Sequence, residues 1–251
     1  MPARELIRIV PLKNLFLKLI NIIYPPRCPI CKIFLNNNIS FCRDCSSKFK
    51  KITSPFCTIC GTPFISYIKE DHVCESCLRK KPFYEIARAP YLYDGTLMTA
   101  IHKFKYSAKS FLASPLGLLM TEFAETWVKE SETLLTIPVP LHPKRLRERG
   151  FNQSLLLSRH VARQLNTELD FLSLRRVRYT LPQTGLNKDE RQKNVRGAFQ
   201  IVDQKAVKKR TVLLIDDVAT TGNTLNECAR LLKRSGCKKV LCLVLARTGR
   251  F

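Results

Sequence analysis

Val212-Leu213-Leu214-Ile215-Asp216-Asp217-Val218-Ala219-Thr220-Thr221-Gly222-Asn223-Thr224 is the stretch on which the reading of this chain turns. Four apolar residues run into two adjacent carboxylates, and a small, hydroxyl-rich turn with one glycine follows. Leu225, Cys228, Ala229, Leu231 and Leu232 then recur at the spacing of one apolar helix face. The pattern predicts a buried strand over 211–215, a phosphate-sized loop, and a helix that turns its N-terminus toward that loop. Glycine at 222 lets the backbone approach a ligand without a Cβ in the way. The competing reading is a strand, a turn and an Asp-capped helix with no ligand at all.

Outward from this stretch, strands alternate with helices. Residues 88–93 read as a strand closed by Asp94-Gly95, 97–105 and 112–129 as helices, 134–139 as a short buried strand and 153–165 as a helix. A last buried strand is expected over 240–246, after Gly236 in a helix C-cap position. The fold class is therefore α/β: a parallel sheet with right-handed crossovers, flanked by helices. Ligands of such sheets sit beyond the carboxyl ends of the strands, where Asp216 and Asp217 fall. Paired carboxylates there can accept hydrogen bonds from vicinal ribose hydroxyls, directly or through Mg2+. Val218, Ala219, Thr220, Thr221, Gly222, Asn223 and Thr224 would offer N–H and hydroxyl groups to a 5′-phosphate at a helix N-terminus.

The chain has eleven cysteines, and eight fall in four C-x2-C units: Cys28/Cys31, Cys42/Cys45, Cys57/Cys60 and Cys74/Cys77. Two thiolates three positions apart can grip one Zn2+, and two such turns complete a tetrahedron. Four units in succession predict two structural zinc ions, with no position left open for water or substrate. Sequential pairing is the economical arrangement; a crossed one, first unit with third and second with fourth, fits the spacing as well. Disulfides fit poorly, because no secretion signal is visible. His72, beside the last pair, is the one candidate to replace a thiolate. Cys228, Cys237 and Cys242 read as packing residues.

With 43 Lys and Arg against 20 Asp and Glu, the net charge of +23 favours polyanionic partners: nucleic acid, an acidic membrane surface or a polyphosphate. No segment approaches the ~20 apolar residues that a membrane-spanning helix needs, and no signal-peptide cleavage site is evident, so a cytoplasmic protein is expected. Leu12, Leu15, Phe16, Leu19, Ile20 and Ile23 form an amphipathic stripe, read as a leader helix over 1–24 that docks on the protein's own core. Pro25-Pro26 ends it. A double zinc ribbon is expected over 25–80 and the α/β domain over 86–251.

Two further segments carry cations where a diphosphate would need them. The stretch 138–153 leaves a buried strand and turns basic at once, making Pro140, Leu141, His142, Lys144, Arg145 and Arg149 candidates. The polar, Gly/Pro-punctuated stretch 178–199 reads as a lid and contributes Gln183 and Arg191. A solvated basic loop is the plainer reading of both.

The 212–224 stretch resembles the 5-phosphoribosyl-1-diphosphate (PRPP) motif of type I phosphoribosyltransferases. The chain as a whole resembles the ComF family of bacterial competence proteins. The resemblance is carried by Cys28 to Cys77, Tyr91-Leu-Tyr-Asp-Gly95, Lys103-Phe-Lys-Tyr106, Pro138-Val-Pro-Leu-His142, Arg149-Gly-Phe-Asn-Gln153, Thr180…Gln183, Arg191…Asn194 and the Asp-Asp-Val-x-Thr-Thr-Gly loop. It implies a type I phosphoribosyltransferase-like domain behind the zinc ribbon and a role in DNA uptake for natural transformation. By the same resemblance Asp216 and Asp217 would hold the ribose and Mg2+, Thr220, Thr221, Gly222 and Thr224 the 5′-phosphate, and the segment from Pro140 to Arg149 would lie near the diphosphate.

Three functional readings follow. As an enzyme, the chain would transfer phosphoribosyl from PRPP to an amine or nucleobase. Cys28 is the first cysteine and belongs to a metal pair, so glutamine-dependent chemistry is not expected. The sequence stops at Phe251, just past the last strand, so an acceptor base would be read by the ribbons or by 178–199. As a nucleic-acid protein, it would hold incoming single-stranded DNA on exposed loops with Arg175-Arg176-Val177-Arg178 and Lys205…Lys208-Lys209-Arg210. Tyr106, Phe151 and Tyr179 would supply stacking. As an interaction module, it would recruit a DNA-uptake helicase.

Overall fold

The computed structural model describes residues 25–35, 41–65, 69–106, 109–128, 134–180 and 188–249. The expected leader helix lies outside the described residues. Two compact units, Met1–Ser47 and Lys48–Phe251, divide the chain between the second and third C-x2-C units.

In the smaller unit a bridge pairs Arg27 with Phe34, and Cys28 N–H donates to Ile33 O at 2.8 Å, folding the first C-x2-C turn back on itself. The short helix α1 (Arg43–Ser46) carries Cys45 and follows Cys42 directly.

The larger unit begins with the second pair of C-x2-C turns; helix α2 (Glu75–Arg79) holds Cys77. The chain then runs β1 (Ile86–Arg88), β2 (Tyr91–Leu92), α3 (Gly95–Tyr106), a 3-10 turn (Ser110–Leu112), α4 (Ala113–Ala124), β3 (Leu134–Pro138), α5 (Pro143–Arg149), α6 (Gln153–Gln164), β4 (Glu168–Leu169) and β5 (Leu174–Arg176). It ends with α7 (Lys188–Val195), β6 (Phe199–Ile201), α8 (Gln204–Val207), β7 (Thr211–Ala219), α9 (Asn223–Arg234) and β8 (Lys239–Arg247). The main sheet has the order β1-β8-β7-β3-β4, every pairing parallel, and β2 also lies along β8. This is the expected α/β class.

Consecutive apolar residues in β7 serve two cores. Val212 and Leu214 pack with Val240 and Cys242 of β8, Leu225, Cys228 and Leu232 of α9, and the cysteines Cys57, Cys60 and Cys77. Leu213 and Ile215 are equally buried but point away from that cluster, as the period of two requires. Helices α4 and α6 pack against each other, and both reach the sheet. A sheet covered this way buries both faces, which is why its central strands read as unbroken apolar runs.

The chain moves from β3 through α6 to β4 on one side, and from β7 through α9 to β8 on the other. The order of strands therefore reverses between β3 and β7. Beyond their carboxyl ends the connections diverge and leave a crevice.

Three local differences from the sequence reading stand out. Strand β7 runs on to Ala219, so Asp216 and Asp217 belong to the strand and only Thr220, Thr221 and Gly222 remain as the turn. Pro143–Arg149, a basic segment to which the sequence assigns no element, is helix α5: Pro143 supplies a pre-set φ in the first turn, and His142 Nδ1 accepts from Lys144 N–H at 3.2 Å. Strands β5 and β6 form a separate antiparallel pair, which places Arg175 and Arg176 in a strand rather than an exposed loop.

Candidate functional site

Each cysteine tetrad is sequential. The sulfurs of Cys28, Cys31, Cys42 and Cys45 lie within 4.8 Å of one another, and so do those of Cys57, Cys60, Cys74 and Cys77. A tetrahedral zinc with ~2.3 Å bonds to sulfur places its sulfurs ~3.8 Å apart. Cys60 Sγ and Cys74 Sγ are 3.8 Å apart, and Cys31 Sγ and Cys42 Sγ 3.5 Å. No disulfide joins them. Cys57 Sγ accepts N–H bonds from Cys60 at 3.4 Å and Cys74 at 3.3 Å, contacts that suit a metal-bound thiolate. His72 stands apart, its Nδ1 at Glu70 O and its ring 4.6 Å from that of Phe64. The donor sets fit two structural zinc ions.

A second site opens in the crevice between β3 and β7, a cavity of about 290 Å³. Its floor is acidic. Asp216 Oδ1 accepts from Ser154 Oγ at 2.8 Å and from Asp217 N–H at 2.9 Å, and Asp217 Oδ2 pairs with Lys105 Nζ at 2.9 Å. Burial, and then the neighbouring Asp217 charge, push the Asp216 carboxyl up to about 7. Burial works against the Lys105 ammonium, but Asp217 and Asp216 hold its pKa above the ordinary value.

The same cavity is also lined by cations. Arg145 and Arg149 come from α5, and Arg176 from β5. Arg149 donates to Gln153 Oε1 at 3.2 Å and Tyr106 Oη at 3.4 Å, and Arg176 donates to Thr180 Oγ1. Burial lowers the Arg176 pKa. Among the described residues, the buried Arg149 Nε, Gln153 Nε2, Arg176 Nε and Thr221 Oγ1 have no hydrogen-bond partner. Unpaired buried donors are rare because each forfeits its hydration; two of the four residues, Arg149 and Arg176, line the cavity, where a polar ligand would suit them.

At the end of β7, Gly222 (φ 76°) takes the left-handed turn that starts α9, and Thr220 and Thr224 line the cavity. A pocket that brings two carboxylates and three guanidinium groups together beside a helix N-terminus can hold a sugar diol and two phosphate groups.

Most of the residues singled out in the sequence meet here: Asp216, Asp217, Val218, Thr220, Thr224, Pro140, Leu141, His142, Arg145 and Arg149 all line the cavity. Ala219, Thr221, Gly222 and Asn223 form the strand end, turn and helix start beside it. Lys144 instead lies over the Tyr179 ring, 4.7 Å from its centroid. Gln183 and the Arg191 side chain lie outside the described residues. The sequence reading passed over Lys105, Ser154, Tyr93 and His102, and placed Arg176 on an exposed loop for DNA rather than at this cavity. Lys105 and Tyr106 sit in one quoted motif, but nothing local says that Lys105 reaches Asp217.

Known proteins give the same picture. A double zinc ribbon domain model matches residues 19–78, and a phosphoribosyl transferase domain model matches 152–250. The chain is 30% identical over 227 residues to Competence protein F of Haemophilus influenzae, covering 88% of this chain and 96% of that protein. It is 32% identical over 231 residues to DNA utilization protein YhgH of Escherichia coli K12, covering 89% and 98%. This chain belongs to the ComF family of competence proteins. Competence protein ComFC of Bacillus subtilis is a further relative, 29% identical over 207 residues and 78% of each chain. In this ComF protein, no helix among the described residues is long and apolar enough to cross a membrane.

Proposed function

We propose that this ComF protein binds PRPP, or a related phosphoribosyl ligand, with Mg2+ in the β3–β7 crevice, and that it uses the site in handling incoming single-stranded DNA. The observation that carries the reading is the pair of cavity-lining arginines, Arg149 and Arg176, whose buried Nε atoms have no partner among the described residues, around a cavity whose floor is a carboxylate pair. The Thr220–Thr224 turn would take the 5′-phosphate, Asp216 and Asp217 the ribose hydroxyls, and Arg145, Arg149 and Arg176 the diphosphate. Asp216 and Asp217 are also the residues that would hold Mg2+, whose charge would offset that of the diphosphate.

The DNA half of the proposal rests on the charge of +23, on the names of the relatives, and on two aromatic rings flanked by cations. Tyr106 is 64% exposed with the Arg149 guanidinium 5.1 Å from its centroid, and Tyr179 has Lys144 and Arg145 over it. Such pairs suit base stacking combined with phosphate contact.

A transferase reading is favoured by the same arginines. As the ribose C1–oxygen bond breaks, the diphosphate leaves with the electron pair and Arg145, Arg149 and Arg176 stabilise it. An acceptor nitrogen forms the new bond to C1 and releases its proton.

Calorimetric titration of PRPP with Mg2+ into the zinc-loaded protein, and into an Asp216→Asn/Asp217→Asn variant, tests the pocket. Binding by the first and none by the second is expected; no binding by the first sinks the reading. For DNA, affinity for an oligonucleotide should fall steeply and linearly on a log–log plot against salt. Diphosphate release that depends on an added acceptor marks turnover.

A further inference from the structure

A chain of buried contacts joins the second cysteine tetrad to the phosphate turn. Arg247, the last residue of β8, is 3% exposed. Its Nε–H donates to Thr62 Oγ1 at 2.7 Å. Because that oxygen accepts from Arg247, its own proton is free to point at Cys60 Sγ, 3.1 Å away. The other end of the guanidinium lies under the turn: a side chain starting at Gly222 would begin 3.8 Å from Arg247 Nη2 and 3.4 Å from Tyr84 Oη. Among the described residues Arg247 Nη1 has no partner.

The backbone follows the same route. Arg247 pairs with Ala219 in the sheet, Thr248 N–H donates to Ala219 O at 3.1 Å, and Thr248 Oγ1 donates to Thr220 O at 3.3 Å. At the other end there is no slack. A Cβ on Gly61 would lie 2.4 Å from Ala87 O, and Ala87 N–H donates to Ile59 O at 2.8 Å, so the Cys57–Cys60 turn is pressed on β1. A guanidinium stays charged even when buried, and that burial is costly unless its contacts are put to use.

We propose that Arg247 is a positioning residue which, through Thr62, makes the shape of the Thr220–Gly222 turn depend on the second cysteine tetrad. Zinc would then act at the phosphoribosyl site from a distance, by fixing Thr62, which fixes the guanidinium on which the turn rests. The ligand arm of the test below rests on the phosphoribosyl reading above; the exchange arm does not.

The full zinc-loaded chain is compared with Thr62→Val, which keeps the shape and loses the hydroxyl, and Thr62→Ser, which keeps the hydroxyl. The readouts are zinc content, hydrogen exchange of the 219–224 amides, and calorimetric affinity for ribose 5-phosphate. Thr62→Val should retain its zinc, exchange faster at 219–224 and lose affinity by roughly three- to tenfold, the worth of one buried hydrogen bond. Thr62→Ser should behave as wild type. If Thr62→Val sheds zinc, Arg247→Lys decides: it keeps the charge but not the fork, and faster exchange in the turn with zinc retained is the expected result. Zinc-loaded variants with wild-type exchange at 219–224 overturn the coupling. A wild type that ignores ribose 5-phosphate while its turn still responds to Thr62→Val overturns the proposed function and leaves the coupling standing.

Discussion

Lys105, in the last turn of α3, reaches Asp217 near the end of β7, with 2.9 Å between Nζ and Oδ2. The two side chains keep only 17% and 10% of their exposure. One lysine therefore serves two adjacent, largely buried carboxylates. In low dielectric that leaves an uncompensated negative charge on the floor of the crevice, and a second cation, or a proton on Asp216, balances it.

Lys105→Met tests this balance. Breaking a fully buried pair costs roughly 3–5 kcal/mol, and the residual exposure here reduces that to about 2 kcal/mol. The melting temperature in the absence of Mg2+ should fall by roughly 5 °C for a unit of this size. Added Mg2+ should raise it more in the variant than in the wild type, because the ion replaces the missing ammonium. Equal shifts in the two proteins would show that the lysine and the ion do not share a place.

Asp216 predicts an unusual pH dependence. Its folded carboxyl titrates at about 7 against an ordinary 3.8. Below the lower value both folded and unfolded states hold the proton, and stability does not depend on the residue. Between the two values the folded state keeps a proton that the unfolded state has released, so wild-type stability falls as pH rises and levels off above about 7. Asp216→Asn removes this cost. In urea unfolding of the ligand-free protein, the variant should be little different below pH 4. It should gain on wild type as pH rises from there and be more stable by roughly 4 kcal/mol near pH 8. A difference that stays flat across the range contradicts the assignment.

The parts of this architecture that were legible in the sequence have local causes. Val212 to Ile215 is apolar on both faces because both are covered, and C-x2-C spacing is set by the bite of one metal ion. Helix α5 was missed because Pro143–Arg149 has no apolar face: none of its residues is buried, and only its caps betray it. The β5–β6 pair was missed because a strand written Leu174-Arg175-Arg176 hides its inward cation among outward ones. The Lys105–Asp217 and Ser154–Asp216 contacts are products of topology, since α3, α6 and β7 meet only after the sheet has formed. Paired carboxylates announce a site, while the groups that tune them are scattered through the chain.

The two tetrads should differ in what their loss does. Cys57, Cys60 and Cys77 share a core cluster with Val212, Leu214 and Val240, whereas the other tetrad belongs to the smaller unit. A structural zinc in small zinc-finger folds contributes about 10–16 kcal/mol of folding free energy. Cys60→Ser should lower the main calorimetric transition by more than about 10 °C. Cys42→Ser should cost one zinc ion per chain and move that transition by less than about 2 °C. Equal shifts for the two variants would deny the second tetrad its place in the core.

Arg149, which lines the crevice, and Gly222, in the turn beside it, make different predictions for two ligands. Arg149 Nε is buried without a partner, while its other nitrogens are held by Gln153 and Tyr106, so the guanidinium is already oriented for an anion. A charge-assisted hydrogen bond contributes roughly 1.5–3 kcal/mol, so Arg149→Gln should weaken PRPP binding about 10- to 100-fold. Ribose 5-phosphate has no diphosphate and should bind nearly as before. Gly222→Ala acts on the 5′-phosphate, which both ligands share. A φ of 76° strains any side chain by about 1 kcal/mol, and the turn would relax away from its ligand-binding shape. Both affinities should then fall together. Paired calorimetric titrations of the two variants with the two ligands decide the orientation. If Arg149→Gln weakens ribose 5-phosphate as much as PRPP, the phosphoribosyl group lies the other way round, or the arginine serves only the fold.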